Sequence, residues 1–100
     1  MAACRVVLHP GAIRDLLQAT EWYRKRSLTV AAGFHAEVDR ALRIIAEAPE
    51  RWPAFDQRHR RVLVRRYPYS LVYRIDSERV VVVAVAHGRR RPRYWRRRST

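Results

Sequence analysis

Hydrophobic positions recur at helical spacing in the first half of this chain and at strand spacing in the second. Cys4 to His9 (CRVVLH) is short and rich in β-branched residues, which predicts a first strand. Pro10-Gly11 breaks it, and a proline there is placed to open a helix. Over Ala12 to Arg26, Ile13, Leu16, Leu17, Thr20 and Tyr23 fall on one stripe, with Trp22 roughly opposite. Ser27-Leu28-Thr29 is a short break. From Val30 to Ala48, the residues Phe34, Val38, Ala41, Leu42, Ile45 and Ala48 form the face expected to be buried. Pro49 ends this second helix by disfavouring the helical conformation at Ala48.

Glu50 to His59 is irregular and contains Pro53; its Trp52 and Phe55 are expected to cover the sheet edge. Arg60 to Arg66 (RRVLVRR) reads as a strand with arginines at both ends, and Tyr67-Pro68 turns the chain, with Tyr67 and Tyr69 shaping the hairpin. Tyr69 to Ile75 alternates, so that Leu71, Tyr73 and Ile75 share one face and Ser70, Val72 and Arg74 the other. Asp76 to Arg79 is a four-residue turn. Val80 to His87 is continuously apolar up to its last residue, which predicts a central strand covered on both faces. Gly88 ends it. The expected order is β-α-α-β-β-β, a two-layer α+β fold with a helical hairpin packed on a mainly antiparallel four-stranded sheet. The last three strands should form a meander, with the first strand beside the last.

Composition narrows the function classes. At 100 residues with 48% apolar content, the chain is one domain, too short for two cores and too apolar for a disordered basic tail. Cys4 is the only cysteine, which excludes an intramolecular disulfide; its simplest reading is a small buried hydrophobe. No His or carboxylate pair has metal-ligand spacing, so neither metal nor cofactor is expected. The longest apolar run, Val80 to Ala86, is far too short to span a membrane, and the N-terminus lacks the pattern of a signal peptide. A cytoplasmic domain without membrane contact is expected.

The charge is what changes the picture. The formal net charge is +13, from 22 basic and 9 acidic residues. Residues 1–57 carry 8 basic and 7 acidic residues, a net +1; residues 58–100 carry 14 and 2, a net +12. Lys25 is the only lysine. Confinement of charge to one half points to a polyanionic partner, and arginine pairs in bidentate fashion with phosphate or carboxylate. Arg89 to Thr100 (RRRPRYWRRRST) holds seven arginines and no acid. Tyr94-Trp95 within it has the make-up of a stacking platform for single-stranded nucleic acid, or equally of an anchor for the tail.

With these elements in place, HPGAIRDLLQATEWY, EVDRALRIIAEAPERWP, RRYPYSLVYRI and VVVVAVAHGRRRPRYW resemble the RelE/ParE superfamily of bacterial toxins, the toxin halves of type II toxin–antitoxin pairs. The resemblance spans nearly the whole chain, as a single toxin domain over residues 1–100 with an arginine-rich tail from residue 88. It implies either of two activities. RelE-like members cut mRNA on the ribosome without a metal; ParE-like members poison DNA gyrase. The nucleases carry an arginine on the third strand where this chain has Ser70, and that departure leans toward ParE. The resemblance also implies a cognate acidic antitoxin, a hetero-oligomer with it, and a role such as plasmid stabilisation.

Three functions stand side by side. A ParE-like toxin would bind antitoxin or target through Arg60, Arg61, Arg65, Arg66, Arg74, Arg89, Arg90, Arg91, Tyr94 and Trp95, with apolar edges of the helical hairpin supplying the rest. A RelE-like endoribonuclease needs a base, an acid and cations for the phosphorane charge, and would use His87, Arg89, Arg90 and Tyr94. A non-toxic nucleic-acid-binding module is the third. The plain reading of His87 is a strand cap that hydrogen-bonds locally. His59 reads as solvated in an arginine-flanked loop, and His9 and His35 as structural.

Overall fold

The computed structural model describes residues 4–89 and 94–98. Six elements run in the order β1 (Arg5–Leu8), α1 (Pro10–Arg24), α2 (Leu28–Glu47), β2 (His59–Val64), β3 (Tyr69–Asp76) and β4 (Arg79–His87). The sheet order is β1-β4-β3-β2, with β1 parallel to β4 and the other pairs antiparallel. The expected α+β fold, the meander and the place of the first strand all hold.

Boundaries move where capping and turn chemistry decide them. The first helix starts at Pro10, two residues before the apolar spacing begins, because His9 caps it: its Nδ1 accepts from Gly11 N–H at 2.9 Å. The second starts at Leu28, since Ser27 Oγ accepts from Val30 N–H at 3.2 Å. The strand β2 stops at Val64, short of the expected Arg66, which sits at φ 72° in the turn. Asp76 and Arg79 pair across the next hairpin, so that loop is only Ser77-Glu78, with Ser77 at φ 58°.

The helix-side core joins Phe34, Val38, Ala41 and Ile45 of α2 and Ala12 and Ala19 of α1 to Val62, Val64, Leu71, Tyr73, Val80, Val82 and Val85 of the sheet. Burial of each large side chain here contributes about 1.5–3 kcal/mol. The buried stripe of α1 is rotated from the expected one. Gly11, Ala12, Asp15 and Ala19 are buried, while Ile13 and Leu17 are 44% and 61% exposed. Small residues let the helix backbone ride close to β4 and turn Ile13 and Leu17 outward, while Leu16 and Tyr23 of the expected stripe still pack against the core.

Both faces of β4 are covered, and a bulge makes this possible. Val72 pairs with Ala84 and Tyr73 with Val82, leaving Val83 as an extra residue. The alternation therefore shifts by one. Val80, Val82 and Val85 face the helices; Val81, Val83 and Ala84 face the opposite side, where Trp95, Phe55 and Tyr94 cover them. Residues 94–98 thus belong to the fold, packed on the sheet face the helices leave open.

Candidate functional site

The edge strand β2 and its flanks carry a cluster of exposed arginines. An edge strand presents unpaired main-chain N–H and C=O groups, and charged side chains commonly protect it. Arg61, Arg65 and Arg66 are exposed here, as is Leu63, at 73%. An open groove of about 950 Å³ runs along this edge, lined by Arg40, Arg51, Arg61, Arg65 and Arg66 together with Ile44, Trp52 and Leu63. Arg61 lies over the Phe55 ring at 5.0 Å, and Arg65 approaches Glu37 at 3.7 Å. The groove combines a cationic rim with apolar footholds, which fits an extended acidic chain bearing apolar side chains.

The remaining arginines singled out from sequence divide. Arg89 is exposed at the end of β4. Arg90 and Arg91 lie outside the described residues. Arg60 is half-buried and donates to the carbonyls of Glu50 and Trp52, so it ties down the loop before β2. Arg74, expected as a surface contact, is instead interior. It is 4% exposed on the face under the C-terminal segment and donates from Nη1 to the Arg98 carbonyl at 3.2 Å. Burial lowers its pKa, Arg58 and Arg79 add to that, and Asp76 opposes them. The reason for the misplacement is that β3 is internal and its second face is covered by the tail.

Of the residues that a nuclease would use, His87 and Arg89 sit at the far end of β4. His87 Nδ1 accepts from Arg89 N–H at 2.9 Å, and its ring stands edge-on to Tyr69 at 5.0 Å. An N–H can only donate, so Nδ1 is unprotonated and a neutral ring carries its proton on Nε2. While that bond holds, Nε2 cannot accept a proton from a substrate hydroxyl. The Tyr94 hydroxyl donates to Asp15 Oδ2 at 3.0 Å and so points into the fold. A pocket of about 370 Å³ lies beside His87, walled by Trp22, Tyr23 and Tyr69. Among the described residues, no group of three or more His, Cys, Asp or Glu side chains could hold a metal ion.

Trp95 is 4% exposed and packs at 4.5 Å from the His59 ring and 5.7 Å from Phe55. It is an anchor, which decides one of the two readings of the Tyr94-Trp95 pair. His59 was expected to be solvated but is 6% exposed, because it begins β2 directly under Trp95. Its ring donates to Asp56, whose Oδ1 also accepts from the N–H groups of Arg58 and His59 at 2.8 Å. Burial pushes the Asp56 carboxyl up, but these donors outweigh it and hold the pKa at about 2. The Asp-x-x-His spacing of an Asx turn was the available signal. His9 caps α1, and His35 Nε2 donates to Thr20 Oγ1, whose own proton goes to the Leu16 carbonyl.

Asp15 had no role assigned from sequence. It is 5% exposed and forms an ion pair with Arg98 at 2.8 Å. Large exposed apolar residues on the helical hairpin are Ile13, Leu17, Trp22, Leu28 and Val30, with Arg26 stacked over Trp22 at 3.5 Å.

Comparison with known proteins follows the same outline. Residues 6–92 match the family described as the ParE toxin of the type II toxin–antitoxin system parDE. Toxin ParE2 of Mycobacterium tuberculosis, from strains CDC 1551 / Oshkosh and ATCC 25618 / H37Rv, is 26% identical over 89 residues, 88% of this chain and 85% of the relative. A solved structure described as the chromosomal ParDE TA system from P. aeruginosa superposes with a TM-score of 0.74, covering 85% of this chain and 96% of that one. At 12% identity it speaks to the fold. Among the described residues no helix is long and apolar enough to cross a membrane.

Proposed function

The chain belongs to the ParE toxin family of type II toxin–antitoxin systems, and from that premise we propose that it arrests growth by binding DNA gyrase in the cytoplasm and is neutralised by an acidic antitoxin. The observation that carries the reading is the arginine-lined groove along the edge of β2, with apolar footholds inside a cationic rim. An antitoxin segment that folds on binding would add a strand or lay an amphipathic stretch here, pairing its acids with Arg61, Arg65 and Arg66. The exposed Ile13, Leu17 and Trp22 offer further apolar surface elsewhere on the hairpin.

The RelE-like alternative finds less support. Ser70 stands where the nucleases carry an arginine, and His87 and Tyr94 are both committed to hydrogen bonds within the fold. One experiment separates the two. Purified toxin is added to a gyrase supercoiling reaction and, separately, to a translating ribosome extract. Loss of supercoiling with intact message is the expected result. Cut message with normal supercoiling would overturn it in favour of the nuclease. Nucleic-acid affinity that survives saturating antitoxin, with neither effect, would favour a plain binding module.

A further inference from the structure

A buried carboxylate on α1 holds the C-terminal segment in place. Asp15 Oδ2 accepts from the main-chain N–H of Val85 at 3.1 Å, from the Tyr94 hydroxyl at 3.0 Å and from Arg98 Nη1 at 2.8 Å, while Oδ1 meets Arg98 Nη2 at 3.3 Å. The position has a structural cause. The strand β1 ends at Leu8, opposite Val82, so among the described residues β4 has no strand neighbour on that side beyond this point. Side chains complete the ladder: Asp15 takes the Val85 N–H, and Arg98 Nη1 donates to the Val83 carbonyl at 2.9 Å. The start of α1 leaves room for this, since a Cβ on Gly11 would lie 2.5 Å from Arg98 Nε.

The same contacts hold residues 94–98 of the arginine segment. The chain also leaves β4 on defined contacts: Gly88 N–H donates to the Pro68 carbonyl at 2.8 Å, and Arg89 N–H to His87 Nδ1 at 2.9 Å. The held stretch presents Arg96 and Arg97 to solvent, and Arg89 is exposed where β4 stops. Trp95, buried on the sheet, and the Arg74 bond to the Arg98 carbonyl hold the return.

We propose that Asp15 is the positioning residue for this arginine segment: it ties the segment to the fold through Arg98 and Tyr94, and the toxin's engagement of its target depends on that tie. The proposal rests on the toxin reading above and adds how the fold presents the charge. Residues 94–98, held by these contacts, have already lost conformational freedom that a free arginine tail would lose on docking, and affinity gains accordingly. Asp15 itself is inside the molecule and touches no target.

Asp15→Asn and Arg98→Gln test it from both sides. Asparagine keeps an oxygen for the Val85 N–H and removes the ion pair, so the fold is expected to survive, as circular dichroism and a cooperative melt would show. Release of the tail is read by iodide quenching of Trp95 in a background where Trp22→Phe and Trp52→Phe leave it the sole tryptophan. Toxicity is read by growth arrest with all three tryptophans present. Each variant is expected to make Trp95 several-fold more accessible and to weaken growth arrest by roughly tenfold or more, with the double variant no worse than either single one. Trp95 still shielded in both variants overturns the latch. Trp95 released with growth arrest undiminished overturns the positioning role alone. A wild-type chain that arrests no growth sinks the toxin reading, and this proposal with it.

Discussion

Asp56 shows how much one side chain fixes locally. Its carboxylate collects two main-chain donors and the His59 ring, and so sets the start of β2 beneath Trp95. The consequence for pH follows from its pKa, about 2 in the folded chain against 3.8 for the free group. A depressed folded pKa means that the stabilisation is complete above about pH 4 and is lost as the pH falls toward 2. Asp56→Asn should therefore lose stability at neutral pH and show a shallower decline than the wild type between about pH 4 and 2, as measured by urea unfolding at each pH. The spacing of Asp56 and His59 was readable, but not what lay over them. The pair Asp15 and Arg98 was still less legible. They are 83 residues apart, and on a helix rich in charged neighbours nothing in the residue itself marks an aspartate as buried.

Between elements, the helical hairpin is keyed to the turn after β2 by an aromatic cluster of Tyr23, Phe34, Tyr67 and Tyr69, with ring centroids 5.2–6.3 Å apart. The Tyr67 hydroxyl donates to the Val30 carbonyl at 2.9 Å, directly over Gly33, where an added Cβ would lie 2.6 Å from that oxygen. Gly33→Ala sets two effects against each other. Alanine in a helix interior gains about 1 kcal/mol over glycine. Displacing Tyr67 breaks its hydrogen bond and disturbs the cluster, at about 1–3 kcal/mol. The expected net is a lower melting temperature. A higher one would show that Tyr67 moves away freely. At this scale the sequence pattern performed well for β4, whose unbroken valines required cover on both sides. It could not show the bulge at Val83, because a continuous apolar run looks the same before and after a one-residue shift. It misjudged the stripe on α1 for a related reason: large residues weigh most in a periodicity, whereas the small Ala12 and Ala19 are what lie against the sheet.

For the molecule as a whole, the net +12 of residues 58–100 follows a nearly neutral first half, and Arg58, Arg61, Arg65, Arg66, Arg89, Arg96 and Arg97 are exposed among the described residues. Such a distribution steers an acidic partner electrostatically, so antitoxin association should slow steeply as salt rises. Reversing Arg65 and Arg66 to Glu should lower the on-rate by about tenfold or more at low salt and flatten that salt dependence, as stopped-flow measurement would show. An unchanged rate would remove these arginines from the interface. The sequence by itself determined the number and order of elements, because period-2 and helical spacings are local and the breakers between them, Pro10, Pro49 and Gly88, act on their own neighbours. It also determined that charge is confined to one half. Only the tertiary structure decided which arginines face outward. Arg61, Arg65 and Arg66 lie on an edge strand and stay exposed, while Arg74 lies on an inner strand and disappears beneath the tail. That difference depends on strand order and on a carboxylate meeting a guanidinium from the other end of the chain, and no local pattern encodes either.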